Sequence, residues 1–350
     1  DKRRFGNSVF QKKLDAWWYE GILPGDDEHI LVGSLTKKKH ARIHRVNVYT
    51  GEFADIVDGT KAKVNRWVLN NVGRPVVGIR ENGNEREHLI LVDGKWQPHD
   101  KVHQNGPDAL DHTTPPRNGE PRLVAAIDNA TDVLLSVKDE NGLYSRVVVY
   151  DVAAGEIKRT VHEDPRYTLR LGVNGMTVIR DERSRLPLAL NYAGHGYTNA
   201  IDNPRMAAAS ELVKAEYPDM PVQPWGGVDS IDRWLFRVLD ATHGNTFVLV
   251  DPSDESSAVL ELFDERSRRD KKQMPKLEVI QIPTRSANSL DAYLCTPPDG
   301  VEEKAPIMVA QNSTKGRHYA WFDPDLLYLA GQGHPILQVN TSGVVGYGEA

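Results

Sequence analysis

Along residues 29–260 apolar and polar positions alternate over short runs, broken by glycine, asparagine and aspartate. A period of two with β-branched enrichment predicts strands, not helices. The runs are His29–Leu35, Arg45–Tyr49, Arg66–Leu69, Pro75–Arg80, His88–Val92, Asp132–Lys138, Arg146–Asp151, Leu186–Tyr192, Arg233–Leu239 and Thr246–Val250. One segment departs from the pattern. Asn203–Tyr217 predicts a helix, with Asn203 as its cap and Pro204 at the first helical position.

A weak repeat runs through the strands. A strand ending in a valine- or leucine-rich triplet and a turn with Gly or Ser leading to Glu recurs at Val46–Glu52, Val148–Glu156 and Val248–Glu255, with Leu89–Gly94 as a shorter relative. The starts lie roughly 40–60 residues apart, and the last gap leaves room for two units; this is the scale of a four-stranded propeller blade. A β-sandwich is the alternative, but it closes in roughly 100 residues, and this pattern runs from 29 to 260.

From Leu277 the pattern changes. Leu277–Ile282, Ser289–Thr296 and Pro306–Ala310 predict strands. Pro324–Ala330 predicts a helix capped by Asp323, with Phe322, Leu326, Leu329 and Ala330 on its buried face, and His334–Val339 is an apolar strand. Strand, helix, strand is the opening of an α/β sheet. Between the two patterns, residues 264–276 carry charge without apolar periodicity and suit a solvated linker. The expected fold is therefore mainly β: propeller blades over 1–263, a linker over 264–276, and the start of an α/β domain over 277–350.

Composition narrows the function classes. Lys+Arg number 43 against Asp+Glu 49, a net charge of −6, which opposes a general nucleic-acid binder. The longest apolar runs, such as Val147–Tyr150 and Phe247–Val250, fall far short of the ~18 residues of a membrane helix. Neither nucleic acid nor membrane is an expected partner. The single cysteine, Cys295, can form neither an internal disulfide nor a thiolate cage for zinc, and leaves cytoplasm and periplasm both open. The chain opens on Asp1 rather than Met and stops in a glycine-rich turn, Gly346–Ala350. Both ends are expected to continue in a longer protein.

Four stretches together resemble the prolyl oligopeptidase family of serine peptidases, in its acylaminoacyl-peptidase-like or dipeptidyl-peptidase-like branch. They are Thr246–Pro252 (TFVLVDP), Leu277–Pro297 (LEVIQIPTRSANSLDAYLCTP), Phe322–Asn340 (FDPDLLYLAGQGHPILQVN) and Asn340–Gly348 (NTSGVVGYG). The resemblance implies a propeller followed by an α/β-hydrolase domain, and a peptidase acting on short peptides without a cofactor. It leaves a homo-oligomer open. It also implies that the serine, acid and histidine follow the Gly-Tyr-Gly turn, beyond Ala350, so the chain alone is expected to be inactive. No serine here stands in the G-x-S-x-G frame of a nucleophile elbow.

Two departures bear on activity. Where the family's oxyanion loop usually reads His-Gly-Gly-Pro, this chain reads Asn312-Ser313-Thr314-Lys315, and Thr341-Ser342 replaces a usual Tyr-Arg. Asn312 and Ser313 are the oxyanion-loop candidates, because an Asn amide can donate to a developing oxyanion. Serine and β-branched threonine, however, resist the φ > 0 that glycines allow. A non-catalytic propeller scaffold or pseudopeptidase is the alternative function. A propeller glycosidase is a third reading, but leaves the α/β segment unexplained.

Other signals are bland. Ser34-Leu35-Thr36-Lys37 matches S-x-x-K without its companion motifs. His99, Asp100, His103, Asp108, Asp111 and His112 offer metal-type ligands in a loop with no fixed frame, and no metal is expected. Asn129, Asn312 and Asn340 fit the glycosylation pattern by chance. Trp67, Trp96, Trp225, Trp234 and Trp321 read as packing residues.

Overall fold

The computed structural model describes residues 16–340 except 83–84, 93, 100–121, 128–131, 139–143, 168, 170–175, 195, 219, 243, 255–257, 265–273, 284–288, 302–306 and 311–322. Among the described residues the strands assemble into six sheets in chain succession. The first holds β1 (Ala16–Leu23), β2 (Asp26–Leu35), β3 (Ala41–Asn47) and β4 (Phe53–Asp58), in that order. The second holds β5 (Arg66–Leu69), β6 (Pro75–Asn82), β7 (Glu85–Val92) and β8 (Lys95–Pro98). The third holds β9 (Arg122–Ala126), β10 (Asp132–Lys138), β11 (Tyr144–Asp151) and β12 (Glu156–Glu163). The fourth has three strands among the described residues, β13 (Thr177–Arg180), β14 (Pro187–Gly194) and β15 (Gly196–Ile201). Helix α1 (Pro204–Glu216) follows, and then the fifth sheet: β16 (Val222–Val228), β17 (Arg233–Val238), β18 (Thr246–Val250) and β19 (Val259–Asp264).

Each of these five sheets is an up-and-down meander of neighbours in sequence, the repeating unit of a propeller and not of a two-sheet sandwich. The sequence repeat falls on one structural feature, the hairpin from the third to the fourth strand: β3–β4, β7–β8, β11–β12 and β18–β19.

By contacts the chain divides into two compact units, Asp1–Asn141 with Arg146–His162 and Arg183–Leu186, and Gly142–Ser145 with Glu163–Glu182 and Pro187–Ala350. Within the first, Leu31, Ala41 and Ile43 of the first sheet bury against Val64, Trp67 and Leu89 at the second. Val76 and Val77 in turn bury against Val133, Leu135, Val137 and Val148 of the third. Within the second unit, Leu188 and Ala189 of β14 meet Val222, Trp234, Phe236, Val248 and Val250 of the fifth sheet, with Met206, Ala209 and Val213 of α1 in the same core. Helix α1 starts where the sequence predicts. Asn203 Oδ1 accepts from the amides of Arg205 (2.9 Å) and Met206 (3.0 Å), with Pro204 at the first position.

The sixth sheet is mixed, in the order β20 (Lys276–Pro283), β21 (Ser289–Thr296), β23 (Ile336–Val339), β22 (Met308–Ala310). β22 and β23 are parallel, and helix α2 (Pro324–Gly331) connects them. Asp323 caps α2 by accepting from Asp325 N (3.1 Å) and Leu326 N (3.3 Å). The buried face of α2 differs from the expected one. Leu327 and Ala330 join Cys295 and Ile336 in a core with Leu326 partly buried, while Leu329 is exposed. A helix this short fits either stripe, and docking on β21 and β23 selects the one through Leu327. Phe322 lies outside the described residues.

Candidate functional site

In the parallel pair, Met308, Val309 and Ala310 stand opposite Ile336, Leu337 and Gln338. The chain therefore leaves β22 and β23 at the same end of the sheet, toward residue 311 in one case and residue 341 in the other. The carboxyl end of parallel strands is where open α/β sheets place ligands. The oxyanion-loop candidates Asn312 and Ser313 lie outside the described residues. What is described is the ground beneath that end.

Asp291 forms that ground. It sits near the start of β21, wholly buried. Its backbone carbonyl accepts from the amide of Asn340, the first residue after β23, at 3.1 Å. Its carboxylate accepts from the Tyr167 hydroxyl at 3.0 Å and from the Gln281 amide of β20, with an Arg166 guanidinium nitrogen at 3.7 Å. Gln281 in turn accepts from the Ser289 hydroxyl at 2.5 Å. A buried carboxylate is costly without donors, and here several elements supply them. Tyr167 is delivered by a turn in which Asp164 accepts from the amides of Arg166 (3.0 Å) and Tyr167 (3.3 Å), and Tyr192 of β14 donates to the same aspartate at 3.0 Å. The network ties β20, β21, the exit of β23 and the segment before β13 together. Sequence reading passes over it, because a lone aspartate on a strand reads as a solvent-facing residue.

A second constellation has the distances of a catalytic triad. Ser34 Oγ lies 2.7 Å from His44 Nε2, and His44 Nδ1 lies 2.6 Å from Asp55 Oδ1. Register explains it: His44 of β3 stands directly opposite Asp55 of β4, and Ser34 of β2 is its diagonal neighbour. Ser34 and His44 are 1% and 2% exposed. A substrate carbonyl has no approach to the buried Ser34 Oγ, so this is a polar ladder across three strands that reaches the surface only at the half-exposed Asp55. The partner of Ser34 is His44, and the S-x-x-K match with Lys37 has no bearing on it.

The remaining candidates scatter. His99 is buried, with Nε2 at 3.1 Å from the Tyr150 hydroxyl. The other metal-type residues of its loop lie outside the described residues. Trp67 and Trp96 pack with ring centroids 4.7 Å apart, and Trp234 is fully buried. Trp225 is exposed, with the Arg237 guanidinium 4.4 Å above its ring. Asn340 is buried, which removes it as a glycan acceptor; Asn129 and Trp321 lie outside the described residues. Burial pushes the Cys295 thiol up to about 11, away from thiolate chemistry.

No family model and no curated protein matches the sequence. Solved structures do. A puromycin hydrolase is similar at a TM-score of 0.54 and 13% identity, over 96% of this chain and 52% of that one. A puromycin-hydrolyzing peptidase of Mycobacterium tuberculosis gives 0.55 and 13%, over 95% and 52%. A prolyl oligopeptidase B from Galerina marginata gives 0.54 and 8%, over 93% and 46%. The chain thus spans about half the length of the structures it matches. At these identities the likeness is one of fold: the succession of sheets matches the propeller portion of prolyl oligopeptidase-family enzymes.

Proposed function

We propose that this chain is the propeller and the opening of the α/β-hydrolase domain of a serine peptidase that cleaves short peptides. One observation carries the reading: a run of antiparallel meanders is followed in the chain by a mixed sheet with a strand–helix–parallel strand unit. The outer strand of that sheet, β22, keeps Met308 and Val309 exposed at 39% and 65%. An apolar parallel edge of this kind suits a sheet that continues. In this reading the domains divide as 1–263, 264–276 and 277–350. The propeller limits substrate size, and attack, proton relay and orientation belong to a serine, a histidine and an acid outside residues 1–350.

A fluorophosphonate tests it. The full-length parent should hydrolyse peptidyl-nitroanilides and be labelled on one serine outside residues 1–350. The 350-residue chain alone should hydrolyse none and stay unlabelled, Ser34 included. Labelling of any serine within the chain, or an unlabelled and inactive parent, would count against the reading. The latter result favours the pseudopeptidase, whose supporting observation is Asn312-Ser313-Thr314-Lys315 in place of a glycine-rich loop. Glycine at positions 313 and 314 should then restore turnover if loop distortion is the cause.

A further inference from the structure

A cavity of about 450 Å³ opens in the first compact unit, lined by Lys38, His40, Lys63, Asn65 and Arg80, with Glu81 and Glu87 completing it. All the lining residues are polar or charged, which suits a hydrophilic ligand. Arg80 and Glu87 pair with each other across β6 and β7. Lys38 and Lys63 have no carboxylate partner among the described residues. The buried Nδ1 of His40 also lacks a hydrogen-bond partner.

Backbone conformation adds a second observation. Lys39 and Lys63 both adopt left-handed φ values, 60° and 55°, where glycine or asparagine is the ordinary choice. Lys39 sits in the β2–β3 turn and follows Lys38, while Lys63 sits in the turn before β5. Two separate turns, each suited to glycine, thus carry lysine at or beside the left-handed residue and border one cavity. Asn65, two residues after Lys63, links that segment to the first turn and to β6. Its amide nitrogen donates to the carbonyl of Lys39 at 3.0 Å, and its oxygen accepts from the amide of Glu81 at 2.7 Å.

We infer that this cavity binds a small hydrophilic oxyanion, held by Lys38 and Lys63 as point charges. With Arg80 already paired, recognition is by charge and not by a bidentate fork. A phosphate monoester and the terminal carboxylate of a peptide share this chemistry. The site stands apart from the peptidase reading and does not depend on it.

Titration calorimetry of the full chain, at constant ionic strength, tests it with inorganic phosphate and with an N-acetylated dipeptide as separate probes. One-to-one binding of either probe is expected. Tighter phosphate binding names a phosphoryl ligand, and tighter dipeptide binding a carboxylate. Lys38→Gln, on an exposed turn, and Lys63→Asn, which keeps a residue that tolerates the left-handed conformation, should each weaken binding roughly tenfold. A control losing two charges elsewhere, Lys95→Gln with Lys276→Gln, should bind as the unmodified chain does. No binding of either probe, or an equal loss in the control, would overturn the inference.

Discussion

Asn47, Asp151 and Asp251 hold the same place in three sheets, at the exit of the third strand. Each side-chain oxygen accepts from a backbone amide two residues on: Tyr49 at 2.9 Å, Ala153 at 2.9 Å and Ser253 at 3.1 Å. This is the Asx turn, and either residue type can make it. Asp151 adds charge, pairing with Lys158 at 3.0 Å. The Ala154 amide and Lys158 hold its carboxyl down to about 2, from an ordinary value of 3.8. A carboxyl that titrates lower when folded contributes stability in full above 3.8, and that contribution is lost as pH falls through about 2. Asp151→Asn should keep the turn, as Asn47 does, and lose only the charge. The expected outcome is a small deficit in urea midpoint at neutral pH that shrinks below pH 3.8 and is gone near 2. A deficit independent of pH would mean that the turn itself had been damaged.

Among the elements, three sheets share a cross-strand pair that periodicity does not register. Trp18 stands opposite Gly33, Trp67 opposite Gly78, and Trp234 opposite Gly227. A Cβ built on these glycines would lie 2.2, 2.8 and 2.5 Å from the tryptophan ring. The ring lies over the bare backbone, which is why a large and an absent side chain are paired. Gly78→Ala should cost about 1–3 kcal/mol, because Trp67 and Val64 are both buried and must shift. Gly51→Ala is the comparison, with φ at 75° and open space around it. It should cost only the backbone term of roughly 1–2 kcal/mol, without disturbing the core. Denaturation midpoints and near-ultraviolet circular dichroism separate the two: only Gly78→Ala should change the tryptophan signal. The strands that sequence reading passes over, β1, β4, β8, β9, β12, β13, β15, β16 and β19, are all sheet edges. Inner strand β10 carries continuous burial over Val133–Val137, whereas β4 and β12 are exposed along most of their length. An edge strand needs only a backbone partner on one side, so its side chains carry little apolar signal.

At the scale of the whole molecule, the mixed sheet is anchored through Asp291. Tyr167 reaches it from 124 positions away in sequence. Tyr167→Phe removes one donor to a wholly buried carboxylate and should cost about 1.5–3 kcal/mol by chemical denaturation. Tyr192→Phe, whose hydroxyl donates to the partly exposed Asp164, should cost less, because water can replace that donor. Equal losses would show that Asp291 has other donors sufficient to hold it. If the peptidase reading is correct, the exit of β23 is the ground under the catalytic end of the sheet. Tyr167→Phe in the parent protein would then reach activity through position, not chemistry.

Local signals were enough for much of this chain. β5, β10, β18 and β21 end where turn residues and alternation place them, both helices begin at their Asn203 and Asp323 caps, and the repeat marks the third-to-fourth hairpins. Those features depend on neighbours within a few residues, and the sequence states such neighbours directly. Tertiary structure alone decided which stripe of α2 is buried, that Ser34, His44 and Asp55 meet, and that Asp291 is buried under Tyr167. It also brought Lys38 and Lys63 to one cavity. Each of these depends on register or on contacts between distant segments, and a side chain's partner across a sheet is set by where the strands pair, which no local pattern of residues records.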